Sequence, residues 1–145
     1  MVRPEVIRRK LSHLSGYLSE LERHRDVTFE AYVGRAGPKR EIERLIQLIV
    51  ECAADLNVHV VTETEGKPPE DYRSSFFDAS RCGLLPRTLA DRLAPSAGLR
   101  NALVHDYGDI DDERVHASVG SAVDGFTEYA RSVQAWLDQH HPDPT

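Results

Sequence analysis

Apolar residues recur at helical spacing along most of this chain, and that restricts its fold more than any other feature. Ile7, Leu11, Leu14, Leu18 and Leu21 follow a 4-3-4-3 spacing, one stripe of an amphipathic helix. Val115, Val119, Ala122, Phe126, Tyr129, Val133 and Trp136 repeat it near the C-terminus. Between them, Ile42, Leu45, Ile46, Ile49, Cys52, Ala53, Leu56 and Val60 hold one face, and Leu48 and Val50 widen it. A helix apolar over so wide an arc lies at the centre of a fold or at an interface between copies, and a homodimer is expected on that ground. No alternating strand pattern and no internal repeat is present. The chain reads as one all-α domain over residues 1–145, an up-down bundle of about five or six helices, with a frayed tail over 140–145.

Punctuation residues set the boundaries. Thr28 is an N-cap and Gly34 a stop for a short piece, and Gly37-Pro38 opens the longest helix. Glu65-Gly66-Lys67-Pro68-Pro69 reads as a loop. A helix through Tyr72, Phe76, Phe77 and Ala79 ends near Gly83. Pro86 begins another that runs to Val104 and is expected to kink at Pro95, whose ring removes one hydrogen bond.

Composition excludes several function classes. Two cysteines make no disulfide framework; Cys52 lies in an apolar stripe as a buried thiol, and Cys82 has no neighbouring base. No apolar run spans a bilayer and the N-terminus has no signal-peptide core, so the cytoplasm is the expected compartment, with no membrane partner. A formal net charge of −6 argues against a permanent nucleic-acid scaffold but leaves room for an enzyme that touches a few phosphates. Positive charge clusters locally at Arg3, Arg8, Arg9 and Lys10, and again at Arg35, Lys39 and Arg40.

Phosphate-binding glycine loops, paired CxxC motifs, His-Glu-x-x-His and Gly-x-Ser-x-Gly are all absent, and no metal or cofactor is expected. One segment, Gly98 to Tyr107, concentrates chemistry: Arg100, Asn101, His105, Asp106 and Tyr107 fall at the C-terminal end of a helix. Residues five apart on a regular helix are rotated by about 140°, so Arg100 and His105 do not share a face, whereas Asn101 and His105 do. Convergence of Arg100 and His105 requires either unwinding near His105 or two copies facing each other. RNA cleavage without a metal needs a base for the 2′-hydroxyl, a cation at the phosphate and an acid for the leaving 5′-oxygen. Histidine takes either proton role, and arginine grips phosphate with two hydrogen bonds. The blander reading is that a cation and an imidazole near a helix C-terminus merely suit the macrodipole.

Arg100-x4-His105-x-Tyr107 resembles the R-x4-H-x-Y signature of HepT-like toxins of the HEPN superfamily. Lys39-Arg40-Glu41-Ile42-Glu43-Arg44, the Pro68-Pro69 loop, Phe76-Phe77 and Ala97-Gly98-Leu99-Arg100-Asn101 extend that resemblance from about Val6 to Trp136. It implies a homodimer with the motif helices lining a shared cleft, and metal-independent endoribonuclease activity centred on Arg100 and His105, supported by Asn101 and Asp106. The implied partner is a nucleotidyltransferase antitoxin of the MntA type that transfers AMP to Tyr107. A non-catalytic module that holds a nucleotide or partner in the same cleft is the alternative, and a purely structural dimerisation bundle is a third.

Overall fold

A computed structural model describes residues 1–105 and 109–143. Among these residues the chain forms seven helices and no strand: α1 (Pro4–Glu22), α2 (Phe29–Val33), α3 (Lys39–Glu65), α4 (Tyr72–Arg81), α5 (Arg87–Leu93), α6 (Ser96–His105) and α7 (Asp112–His140). The all-helical expectation holds, and the count of five or six rises to seven at one place. The helix expected from Pro86 to Val104 is two helices, α5 and α6, with Pro95 between them. Proline has no N–H to give the preceding turn, and its ring crowds the carbonyl four residues back, so here the chain breaks instead of kinking.

Local signals end the elements where the chemistry requires. The Thr28 hydroxyl accepts from the Ala31 amide at 3.1 Å and caps α2. Gly66, at φ 81°, closes α3 in the left-handed region that an L side chain resists. Asp71 and Ser74 form a reciprocal capping box at the start of α4, and Asp111 caps α7 by accepting from the Arg114 amide. Gly37 packs so closely on the Ala31 carbonyl that a Cβ there would lie 2.0 Å from it, which makes a glycine obligatory at that turn.

α3 is the central element, packed against α1, α4, α6 and α7. Its wide apolar arc is therefore satisfied within one chain, and the dimer expected from that arc loses this support. α3 is also the one described helix long and apolar enough to cross a membrane, and it is mostly buried inside the fold. α1 lays Ile7, Leu11, Leu14, Leu18 and Leu21 on the core, and α7 buries Val115, Val119, Phe126, Tyr129, Val133 and Trp136, as the spacing predicts. Ala122, also in the predicted stripe, is only partly buried, and Val123 beside it goes inward. The Phe76, Phe126 and Tyr129 rings meet edge to face at 6.1–6.3 Å.

Two buried polar side chains cross the core. Asn57 of α3 donates to the Ser75 hydroxyl of α4 at 3.2 Å and accepts from the Tyr129 hydroxyl of α7 at 2.5 Å. Ser75 donates to the Tyr72 carbonyl. This network ties three helices at fixed register, since shifting any one would strand a buried polar atom. Cys52 is half-buried with its thiol on the Lys10 carbonyl, and burial pushes its pKa up, consistent with a packing role. The Cys82 thiol is raised as well, by burial and by Glu65 beside it. At the C-terminal end of α7, His140 stacks on Trp136 at 4.7 Å and Arg8 donates to the His141 carbonyl at 2.9 Å.

Candidate functional site

The motif occupies α6, a ten-residue helix that buries Ala97, Leu99 and Leu103 and turns its polar residues outward. Among the described residues it is helical through His105, with no unwinding between Arg100 and His105 that would bring the two together within one chain. The two lie on faces about 140° apart, and both Asn101 and His105 are exposed, one turn from each other. Asp106 and Tyr107 lie outside the described residues.

Arg100 is held from several sides. Its Nε and Nη2 donate to one oxygen of Glu51 on α3, at 2.9 and 2.6 Å, and its Nη1 donates to the Asn101 side-chain oxygen at 3.2 Å. The guanidinium also lies over the Tyr72 ring of α4, 5.1 Å from its centroid. The Tyr72 hydroxyl donates to Asp55 at 3.0 Å, and Gln47 donates to Glu51 at 3.3 Å. Burial, then the Asp55 hydrogen bond, pushes the Tyr72 phenol up, so the ring stays neutral under the cation. Both members of the Glu51–Arg100 pair are about one-fifth exposed.

The consequence is geometric. Glu51 occupies the Nε–Nη2 edge of the guanidinium, and the stacked ring fixes its plane. A guanidinium has five N–H donors, of which three are engaged here, leaving one on each terminal nitrogen. A plane fixed in advance by a carboxylate and an aromatic face loses little freedom when it grips an anion. Among the described residues no three His, Cys, Asp or Glu side chains cluster as a metal ion would require.

Of the expected site residues, the structure joins Arg100 to Asn101 and sets His105 apart on the same helix. Glu51, Tyr72, Asp55 and Gln47 were missed by sequence reasoning. A signal was present: Gln47, Glu51 and Asp55 recur every four residues and continue the polar line of Arg40 and Arg44, along a helix whose opposite side is apolar.

Comparison with known proteins bears on this arrangement. The profile of the family described as ribonuclease HepT-like matches residues 14–133. The chain is 29% identical over 136 residues to the tRNA nuclease HepT of Aphanizomenon flos-aquae (strain 2012/KM1/D3), covering 94% of this chain and 92% of that protein. It is 27% identical over 90 residues to the mRNA nuclease HepT of Shewanella oneidensis, covering 62% of this chain and 68% of that one. Its fold is similar to the tri-AMPylated Shewanella oneidensis HEPN toxin solved in complex with its MNT antitoxin, with a TM-score of 0.78 at 20% identity, over 90% of this chain and 97% of that one. A family match over most of the chain, joined to an all-helical fold that presents Arg100 and His105 on one helix, leaves one assignment: this chain belongs to the HepT-like ribonuclease family.

Proposed function

We propose that this HepT-like ribonuclease is the toxin of a two-component system. It cleaves RNA without a metal, in the cytoplasm, at a cleft formed where the α6 helices of two copies meet. A nucleotidyltransferase antitoxin silences it by adding AMP to Tyr107. The observation that carries the reading is the immobilised Arg100, clamped by Glu51 and Tyr72 with donors to spare, on the same helix as an exposed His105. The two faces of a regular α6 supply the reason for a dimer: Arg100 of one copy and His105 of the other can line one groove, while those of a single copy cannot.

In that groove a histidine takes the proton of the ribose 2′-hydroxyl. The 2′-oxygen attacks phosphorus, Arg100 stabilises the charge gathering on the phosphoryl oxygens, and the 5′-oxygen leaves with a proton from the second histidine. The products are a 2′,3′-cyclic phosphate and a 5′-hydroxyl. With one motif histidine per chain, two copies provide both base and acid. AMP on Tyr107 places phosphate and bulk two positions from His105, where they compete with RNA for Arg100.

The test compares purified wild type and His105→Ala on RNA, with and without EDTA. Wild type should cut in EDTA, and His105→Ala should lose about 10²–10⁴-fold in rate with its helicity intact, as for loss of a general acid–base. Activity that disappears with EDTA and returns with a divalent ion overturns the metal-free mechanism. Co-expression with the transferase should add the mass of one or more AMP units to wild type and none to Tyr107→Phe; an unmodified wild type that is still silenced overturns the AMP step.

A further inference from the structure

The arginines that open α3 take no part in the site as described. Arg40 and Arg44 are exposed, and among the described residues neither forms an ion pair, as is also true of Arg9, Arg23, Arg35, Arg73, Arg114 and Arg131, whereas Arg3, Arg8, Arg25, Arg81, Arg87, Arg92 and Arg100 each meet a carboxylate; what sets Arg40 and Arg44 apart is where they lie. Their placement is specific. Positions 40, 44, 47 and 51 follow a 4-3-4 spacing, which puts all four within an arc of about 60° on one face of the helix. That face leads to the motif: Gln47 donates to Glu51, and Glu51 holds Arg100.

We propose that Arg40 and Arg44 form a phosphate track that carries an RNA strand along α3 to Arg100. The proposal rests on the ribonuclease reading above and adds a substrate-binding surface outside the motif helix. At about 1.5 Å per residue the stripe from Arg40 to Glu51 is roughly 16 Å long, which is about five phosphates at a stacked spacing of about 3.4 Å. Charge along it favours an anion. Glu51 is neutralised by Arg100, Glu41 turns toward His24 at 3.4 Å, and Asp55 accepts from Tyr72. Glu43, the remaining acid on the flank, is partly buried, and its pKa is raised chiefly by that burial. Lys39 is engaged with Asp112 at 2.9 Å and stands aside. The positive end of the α3 dipole lies at the same point. A chain of net charge −6 thus keeps two unpaired cations on the one face of its central helix that ends at the catalytic arginine. The chemistry recognised is the phosphodiester backbone, without base identity, because exposed arginines on a helix surface offer charge and no pocket.

The experiment measures RNA cleavage by the full chain against salt concentration, for wild type, Arg40→Gln/Arg44→Gln, Arg40→Lys/Arg44→Lys, and Arg23→Gln/Arg131→Gln, which removes two exposed arginines elsewhere. Each lost phosphate contact on a single strand lowers the slope of log affinity against log salt by about 0.7. The glutamine pair at 40 and 44 should lower that slope by about 1.4 and raise KM about tenfold at physiological salt. The lysine pair should restore most of the loss, since a point charge suffices for a backbone contact, and the distant pair should keep the wild-type KM and slope. A glutamine pair at 40 and 44 with unchanged KM and salt slope overturns the track. So does a pair that cuts RNA normally but no longer associates with the co-expressed transferase, which would make the stripe a protein-docking surface. A wild type that cuts no RNA at all would instead reject the ribonuclease reading, so the two failures are told apart by the first lane.

Discussion

Two polar clusters branch from α3 about two turns apart, and they are built to opposite ends. Around Asn57, everything is buried: the amide meets Ser75 and Tyr129, and the fully buried Tyr129 phenol is raised well above its usual range by loss of solvent. Around Glu51, the partners are charged and about one-fifth exposed, and Arg100 keeps donors free on its terminal nitrogens. A buried, neutral, closed network specifies how helices register. A half-buried, charged, open one has its partners fixed and its capacity to bind retained. The same helix supplies both because its two faces meet different neighbours: α4 and α7 over Asn57, and α4 and α6 at the solvent edge over Glu51.

Substitutions can break this contrast or sharpen it. The largest effect is expected from Arg100→Lys, which keeps charge and loses the fork: cleavage should fall about 10²-fold while the melting temperature stays near wild type. Cleavage within a factor of a few of wild type would mean the planar edge is not what the phosphate uses. Tyr129→Phe should do the reverse. It leaves Asn57 short of a partner in a dry core, a cost of about 1–3 kcal/mol, seen as a melting temperature several degrees lower with cleavage retained at low temperature. A melting temperature unchanged by this variant would show that the Asn57 network contributes little. The smallest effect should come from Glu51→Gln. An acceptor oxygen remains for Arg100, so the plane is kept, while one negative charge near the phosphate is removed. At about 6 Å in a largely aqueous setting that charge is worth under 1 kcal/mol, so KM should drop about threefold. Collapse of cleavage in Glu51→Gln would instead assign the carboxylate a chemical role.

Legibility in the sequence followed the physics of each feature. The stripes of α1, most of α7 and α3 were readable because burial on one side of a helix writes itself at 3.6-residue spacing. The break at Pro95 was located correctly and underestimated in degree, since a single proline tells where a hydrogen bond is lost and not whether neighbouring helices favour a bend or a new helix. Within the 140–145 tail, His140 meets Trp136 four positions back, while the Arg8 contact to His141 spans 133 positions, which no local pattern announces.

For the site, the clustering of a cation, an amide and an imidazole marked Arg100, Asn101 and His105, the family resemblance gave them roles, and helical spacing stated that Arg100 and His105 do not share a face of a regular helix. α6 is regular through His105, so that constraint stands among the described residues. What the sequence by itself determined is thus everything local: helix periods, caps, stops and which residues share a turn. What only the tertiary structure decided is which side chains lie beside Arg100. Glu51 and Tyr72 are 49 and 28 positions from it in the chain, and they reach it because α3, α4 and α6 pack along faces chosen by the apolar core. The hydrophobic effect sets those faces without regard to the polar residues at their edges, so the partners of a half-buried cation are settled by packing that no local pattern encodes.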